Sequence, residues 1–364
     1  MLPKTTLWPM SPHTEGKHLV LRRYLDAWLP ILGSRFGRIL FIDGFAGPGA
    51  YVGGEEGSPL VALRALAEHT ARGMITAETV FVFIEKDLKR AHHLRGLISD
   101  LPFKLPRNCT IEVISGAFDE TLTEVLDHVE AQKSGLAPSF VMVDPFGVSD
   151  TPMSVIRRLL ANRRSEVYIT FMYDAISRFS NTPEFAPHLD GLFGCDSWRE
   201  GIDIEDSRES KRFYYDLYEA QLKAAGAENV VRFELYEGKR LVYAVFFGTQ
   251  HWMGADRMKQ AIWRVCSFGD FAFRGTRSPQ GSLLLSAPDY GALQDALRRE
   301  FCGKGWVSVA SLEEFVGSDR TDFHCGHLKK NGLKPMEESG ALEADNETRK
   351  KRYTYPEGTL VRFL

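Results

Sequence analysis

The sequence predicts an α/β fold built on a mostly parallel sheet with helices on both faces, followed by a smaller α+β domain. Three observations predict it. Short continuous apolar runs recur at Arg38–Asp43, Thr79–Glu85, Thr110–Ser115, Ser139–Asp144 and Glu166–Met172, as buried parallel strands do. Segments with helical apolar spacing alternate with them at Lys17–Leu32, Ser58–His69, Leu88–Ile98, Glu120–Gln132 and Pro152–Leu160, which implies a sheet covered on both faces. Beyond Arg274–Ser286, rich in Gly, Ser and Pro, the pattern changes to helices with a short hairpin.

Taken in order, the first helix has Pro30 close to its end. The second starts with Ser58 in the N-cap position and Pro59 at the first helical position. Ala175–Ser210, with Pro183 and Pro187, is read as an irregular insert beyond a strand's carboxyl end, placed to cap a substrate. Lys211–Ala225 is helical, Val230–Tyr236 and Leu241–Gly248 form a hairpin, and Ala255–Cys266 is a closing helix. Asp289–Glu300, Ser311–Val316 and Asp322–Ser339 are then helices, with Ala341–Ala344 and Tyr353–Phe363 as strands of a wing. The predicted domains are 1–274, with 175–210 as the cap, and a winged-helix-like unit at 287–364.

Composition narrows the class. The chain has 364 residues, 44% hydrophobic and 26% charged, enough for two or three packed units. Its apolar runs fall short of the ~20 residues that cross a bilayer, and the first residues, MLPKTTLWPMSPHTEGKH, lack the apolar core of a signal peptide. A cytoplasmic protein without membrane attachment is expected. The five cysteines are scattered and read as free thiols. His324, Cys325 and His327 lie together but lack a second ligand pair, so no metal is predicted. A net charge of −3 excludes a protein that coats nucleic acid, yet leaves room for a local basic face.

Chemistry concentrates at strand ends. Asp43-Gly44-Phe45-Ala46-Gly47-Pro48-Gly49 is a glycine-rich turn led by an acid. It lacks the Lys-Ser/Thr of a phosphate loop and the spacing of a dinucleotide turn, and its acid would repel phosphate. A cationic, phosphate-free ligand suits it, as S-adenosylmethionine is. Asp43, Gly44, Phe45, Gly47 and Gly49 would hold the methionyl part. Glu85, closing the next strand, would accept the ribose hydroxyls as strand-end acids do. Phe118 and Asp119 follow the third strand, where an adenine ring would be covered and its amino group bonded.

Asp144-Pro145-Phe146-Gly147 follows the fourth strand. A carboxylate and a fixed backbone carbonyl that accept both N–H bonds of an aromatic amine would aim its lone pair at a methyl donor, and proline fixes that carbonyl. A neighbouring aromatic ring would stack on the acceptor. The same residues also make an ordinary Asp-led β-turn. Lys17-His18 is either a relay or phosphate anchor at the pocket, or part of the helix start. Arg157, Arg158, Arg163 and Arg164 either touch phosphates or complement a helix C-terminus. Lys329, Lys330, Lys350, Lys351 and Arg352 in the wing region, countered by Glu337, Glu338, Glu343 and Glu347, suit nucleic acid or a protein equally.

A parallel sheet closed by a helix and a terminal antiparallel hairpin is the ending that class I methyltransferases show, so the fold class expected is a Rossmann-like class I methyltransferase. The chain resembles the three-Cys-motif partner proteins (TcmP) over nearly its whole length. Lys17-His18 with Tyr24-Leu25 and Trp28, the loop FIDGFAGPG, VDPFG, Met258-Lys259 to Trp263, and LKKNGLKPMEESGALEA carry that resemblance. It implies a methyltransferase-like fold and a partner protein with three cysteines, of radical chemistry. The Lys-His pair with a late Asp-Pro-aromatic motif is similar to large-subunit rRNA adenine-N6 methyltransferases, though those carry Asp-Pro-Pro-Tyr. Asp-Pro-Phe-Gly is similar to tRNA guanine-N2 dimethyltransferases. The function expected is S-adenosylmethionine-dependent N-methylation of an amine on a nucleic-acid base, RNA before DNA. The alternative is a non-catalytic or partner-activated component that binds the three-cysteine protein.

Overall fold

The computed structural model describes residues 5–238, 240–266, 271–273 and 288–364. The expected Gly/Ser/Pro-rich stretch Arg274–Ser286 lies outside the described residues. The chain divides into two compact units, Met1–Gln250 with Ala272–Arg277, and His251–Phe271 with Ser278–Leu364.

In the first unit α1 (Pro12–Gly33) leads to β1 (Arg38–Asp43), α2 (Ser58–Ala67), β2 (Glu78–Glu85), α3 (Leu88–Ser99), β3 (Cys109–Ser115) and α4 (Phe118–Ala131). Then come β4 (Ser139–Val143), α5 (Met153–Ala161), β5 (Ser165–Phe171), α6 (Tyr173–Phe179), α7 (Ala186–Phe193), α8 (Ser207–Ala224), β6 (Asn229–Glu237) and β7 (Arg240–Thr249). The strands form one sheet in the order β3-β2-β1-β4-β5-β7-β6, extended by the two-residue β8 (Ala272–Phe273). Only β7 runs antiparallel to its neighbours. This is a Rossmann-like α/β fold with a large, mostly parallel sheet.

The central strands explain why the apolar runs are continuous. Every residue of β4 and β5 is buried, because helices cover both faces and no side of those strands meets water. Strand order reverses between β1 and β4, with β2 and β3 on one side and β5 on the other. Ligands of open α/β sheets bind at such a switch point, beyond the strands' carboxyl ends. Asp43 stands opposite Met142 in the β1–β4 register, so the ends carrying Asp43 and Asp144 flank the switch.

Two local expectations are corrected. Ser58 does not cap α2; the N-cap is Gly57, without a side-chain cap bond, and the Ser58 hydroxyl faces the Asp43 carboxylate instead. The stretch Ala175–Ser210 is largely helical rather than irregular. It contains most of α6, α7 and two 3-10 turns, and Leu189, Phe193 and Trp198 sink into the core beside α5 and α8.

The second unit begins with α9 (Trp252–Val265), followed by α10 (Gly291–Phe301), β9 (Trp306–Ser308), α11 (Val309–Gly317), the short α12 (Cys325–His327), a π-helical turn (Leu328–Leu333), α13 (Lys334–Glu338), β10 (Leu342–Ala344) and β11 (Leu360–Phe363). Its three strands form an antiparallel sheet in the order β10-β11-β9. Leu293, Leu297, Leu312, Leu333 and Val361 are fully buried in its core. The helix expected to close the first domain, α9, is thus grouped with the second unit. Its Lys259, 1% exposed, donates from Nζ to the carbonyls of Val316 (2.6 Å), Ser318 (2.6 Å) and Thr321 (2.9 Å). Those contacts use all three ammonium donors on the end of α11 and the loop after it. Trp263 Nε1 adds a bond to the Asp322 carbonyl at 2.7 Å. Among the described residues no helix is long and apolar enough to cross a membrane.

Candidate active site

The glycine-rich turn starts where β1 ends. Asp43 is wholly buried; its Oδ1 accepts from the Phe45 N–H at 3.1 Å, and its Oδ2 has no hydrogen-bond partner among the described residues. Burial pushes its pKa up to about 7, against the opposing pull of the Ser58 hydroxyl and the Phe45 N–H. A buried carboxylate oxygen without a hydrogen-bond donor is costly unless one arrives.

The three glycines divide their work. A Cβ on Gly44 would sit 2.2 Å from Phe118 Cδ2, and one on Gly49 2.6 Å from Leu94 Cδ1. These two glycines therefore let α4 and α3 pack against the turn. Gly47 (φ 63°) and Gly49 (φ 83°) also need the left-handed backbone that glycine adopts without strain. Phe118 is 1% exposed, beside Phe45 with ring centroids 5.3 Å apart, so it forms the floor of the turn. Asp119 is half-buried at the start of α4.

Glu85 braces the same turn. Its Oε2 accepts from the Gly47 N–H at 2.8 Å and its Oε1 from the Asp87 N–H at 2.7 Å. Burial raises its pKa, while these N–H groups and the Arg90 guanidinium pull the other way. Each oxygen keeps a further acceptor lone pair.

Asp144 follows β4 and is tied on both oxygens. Oδ2 pairs with the Lys17 ammonium, and Oδ1 accepts from the Thr170 hydroxyl at 2.6 Å. Burial drives the Asp144 pKa up, but the Lys17 charge and the two donors outweigh it and hold the carboxyl below its ordinary value. Lys17 is 3% exposed and lies 5.4 Å from the centroid of the Tyr243 ring. His18 beside it is buried, with Nδ1 unpartnered among the described residues; burial and the Lys17 charge lower its pKa to about 3. It is a neutral imidazole at physiological pH. Pro145 is buried and Phe146 is 37% exposed, so its ring is available at the mouth.

The structure thus brings Asp43, Glu85, Asp144, Lys17 and His18 to one end of the sheet. Sequence reasoning missed Thr170, whose only signal is a hydroxyl two residues before the carboxyl end of the buried run EVYITFM. It also missed Trp8, Tyr51 and Tyr243. Trp8 packs edge-on against Tyr51 (5.9 Å) and Phe146 (5.5 Å), beside the glycine turn. Of the arginines proposed for phosphate contact, Arg158 is engaged with Asp127 and Glu130 of α4, which leaves its charge locally balanced.

No protein-family model matches the chain, and no curated protein does. Solved structures similar to it include Trm1 from Pyrococcus horikoshii with S-adenosyl-L-methionine, at 12% identity over 72% of this chain and 61% of that one, TM-score 0.37. An O-methyltransferase from Bacillus cereus with SAH is 18% identical over 68% and 84% of the two chains, TM-score 0.35. Human methyltransferase-like protein 13 with SAH is 12% identical over 74% and 97%, TM-score 0.36. The chain spans about three fifths of the length of the Trm1 chain. These likenesses are weak, and the site's own residues carry its functional reading.

Proposed function

We propose that the first unit is an S-adenosylmethionine-dependent methyltransferase acting on the nitrogen of a planar amine, a nucleic-acid base and RNA before DNA. The observation that carries this reading is the buried Oδ2 of Asp43, unpartnered among the described residues, beside the glycine turn at the switch point of the sheet. That oxygen fits an ammonium donor, and an acid leading the turn would repel a phosphate. When bound, the cofactor supplies a methyl group on a cationic sulfur.

The chain's own residues do the rest by placement. Asp43 would hold the ammonium, the backbone of Gly44, Phe45, Gly47 and Gly49 would line the methionyl part, and Glu85 would use its spare lone pairs on the ribose. Asp119 would reach the adenine amino group. Asp144, kept ionised by Lys17 and Thr170, is an acceptor with one lone pair free on each oxygen. It would take an N–H of the acceptor amine while the Pro145 carbonyl takes the other. Phe146 would stack on the ring.

From α10 to β11 the second unit runs helix, strand, helix, then the contiguous run of α12, the π-helical turn and α13, and two strands, and that order supports a winged helix. We propose that it selects the substrate or docks a three-cysteine partner as the TcmP resemblance implies, and that the insert 175–210 borders the acceptor. A cytoplasmic setting fits these roles.

Titration calorimetry with S-adenosylmethionine tests the reading. Micromolar affinity, about −8 kcal/mol, is expected for the unmodified chain and its loss for Asp43→Ala. Methyl transfer from a tritiated donor to RNA, abolished by Asp144→Ala, is the second expectation. A folded chain that binds neither S-adenosylmethionine nor S-adenosylhomocysteine overturns the enzyme reading for the chain alone.

A further inference from the structure

The segment Thr5–Ser11, between the start of the described residues and α1, lies across the glycine turn. The Val52 N–H donates to the Trp8 carbonyl at 3.1 Å, which fixes the segment's backbone to the loop after the turn. The indole of Trp8 reaches back over Gly47. A Cβ built on Gly47 would lie 3.7 Å from Trp8 Cη2, its only neighbour within 4 Å among the described residues. That glycine therefore differs from Gly44 and Gly49, whose missing Cβ atoms make room for core side chains. Gly47 faces the indole, which an added Cβ would meet at ordinary contact distance.

Arg90 of α3 holds this arrangement from the other side. Its side chain is buried, with the guanidinium 5.0 Å from the Trp8 ring centroid and 5.8 Å from that of Phe146. It also donates to the Thr5 carbonyl at 3.5 Å. Its charge acts on Glu85 as well. One arginine thus touches the segment's backbone, the indole and the exposed aromatic ring of the Asp-Pro-Phe-Gly motif, and it neighbours the acid assigned to the ribose. The segment runs directly into α1, which carries Lys17, the counter-ion of Asp144.

We propose that Thr5–Ser11 is a strap that closes over the cofactor, with Trp8 as its retaining residue and Arg90 as the latch that holds it. The proposal rests on the cofactor reading of Asp43 and Glu85 and assigns that site a wall outside the glycine motif. An indole packed over the turn excludes water from the bound cofactor and must move for the cofactor to leave. A ring face of Trp8 turned toward a cationic ligand would attract it. Trp8 is a positioning residue here, since it acts by keeping the cofactor and Phe146 in place.

The test uses the full chain with S-adenosylhomocysteine and S-adenosylmethionine as probes, affinity by calorimetry and rates by stopped flow. Trp8→Ala is expected to bind each probe about tenfold more weakly, the scale of one lost buried aromatic contact. The change should fall on the dissociation rate, with the association rate and the unfolding midpoint little altered. Trp8→Phe, which keeps a flat ring, should recover most of the retention, and Arg90→Met should reproduce the faster dissociation. Wild-type binding lost in Asp43→Ala but unaltered in Trp8→Ala overturns the strap and leaves the cofactor reading standing. No binding by the wild-type chain overturns the cofactor reading and the strap with it.

Discussion

Lys17 of α1 and Asp144 at the end of β4 form an ion pair across 127 residues of sequence. The lysine side chain is 3% exposed and the aspartate 26%, so the pair sits where water screens it poorly. Thr170 completes the acid's ligation from β5. Three elements meet on one carboxylate, and its charge is set by that meeting.

Removing one partner of such a pair leaves the other charge buried. Lys17→Met is therefore expected to destabilise the first unit by about 3 kcal/mol, read from denaturant unfolding. Lys17→Met with Asp144→Asn should recover a large part of that loss, because the orphaned charge is gone. In the unmodified chain the lowered Asp144 pKa adds stability above the unfolded value of about 3.9. That contribution fades as pH falls through the folded value. A double variant no more stable than Lys17→Met alone would contradict this account.

Asp43 carries the opposite sign. Its folded pKa is raised to about 7 from about 3.9 in the unfolded chain, so the folded state keeps a proton that the unfolded state has lost. Its contribution is full below the unfolded value and declines as pH rises through about 4 to 7. Asp43→Asn should flatten this part of the stability–pH curve, leaving the part due to Glu166, which burial also raises to about 7. An arriving ammonium favours the ionised acid, so cofactor binding near pH 6 should release a proton. Calorimetry in two buffers of different ionisation enthalpy measures that release, which Asp43→Asn should abolish.

Gly44 is a packing position. The methyl of Gly44→Ala would meet the Phe118 ring at 2.2 Å, with Phe118 itself locked in the core. A loss of about 1–3 kcal/mol is expected, partly relieved by Phe118→Leu in the same chain. Thermal unfolding of the single and double variants checks it; equal losses in both would mean the turn adjusts elsewhere.

The parallel sheet and the acids at its strand ends were legible because each rests on a local signal, a continuous apolar run closing on Asp or Glu. The Lys17–Asp144 pair was not, since nothing local in either segment names the other. The helices of the insert were missed because Pro183, Pro187 and the glycines read as breakers. Both prolines stand in first-turn positions, where the missing N–H costs nothing. Gly194 (φ 65°) ends α7 in the left-handed conformation. Those residues punctuate helices here and do not prevent them. Ser58 was misread for a related reason: its hydroxyl could accept from the first N–H groups of α2 or donate to Asp43, and no local signal ranks the two.

Lys259 changes where this protein can be cut. Strand–helix alternation invites a truncation after α9, near residue 274, to isolate the sheet-bearing half. Such a fragment would carry a cation shaped to clasp three carbonyl oxygens that had been left behind, together with the indole of Trp263 stripped of its acceptor. The natural seam lies earlier, between Gln250 and His251. A cut there keeps Lys259 and Trp263 with their carbonyl partners, and parts the first unit's sheet only from the two-residue β8 beside β6.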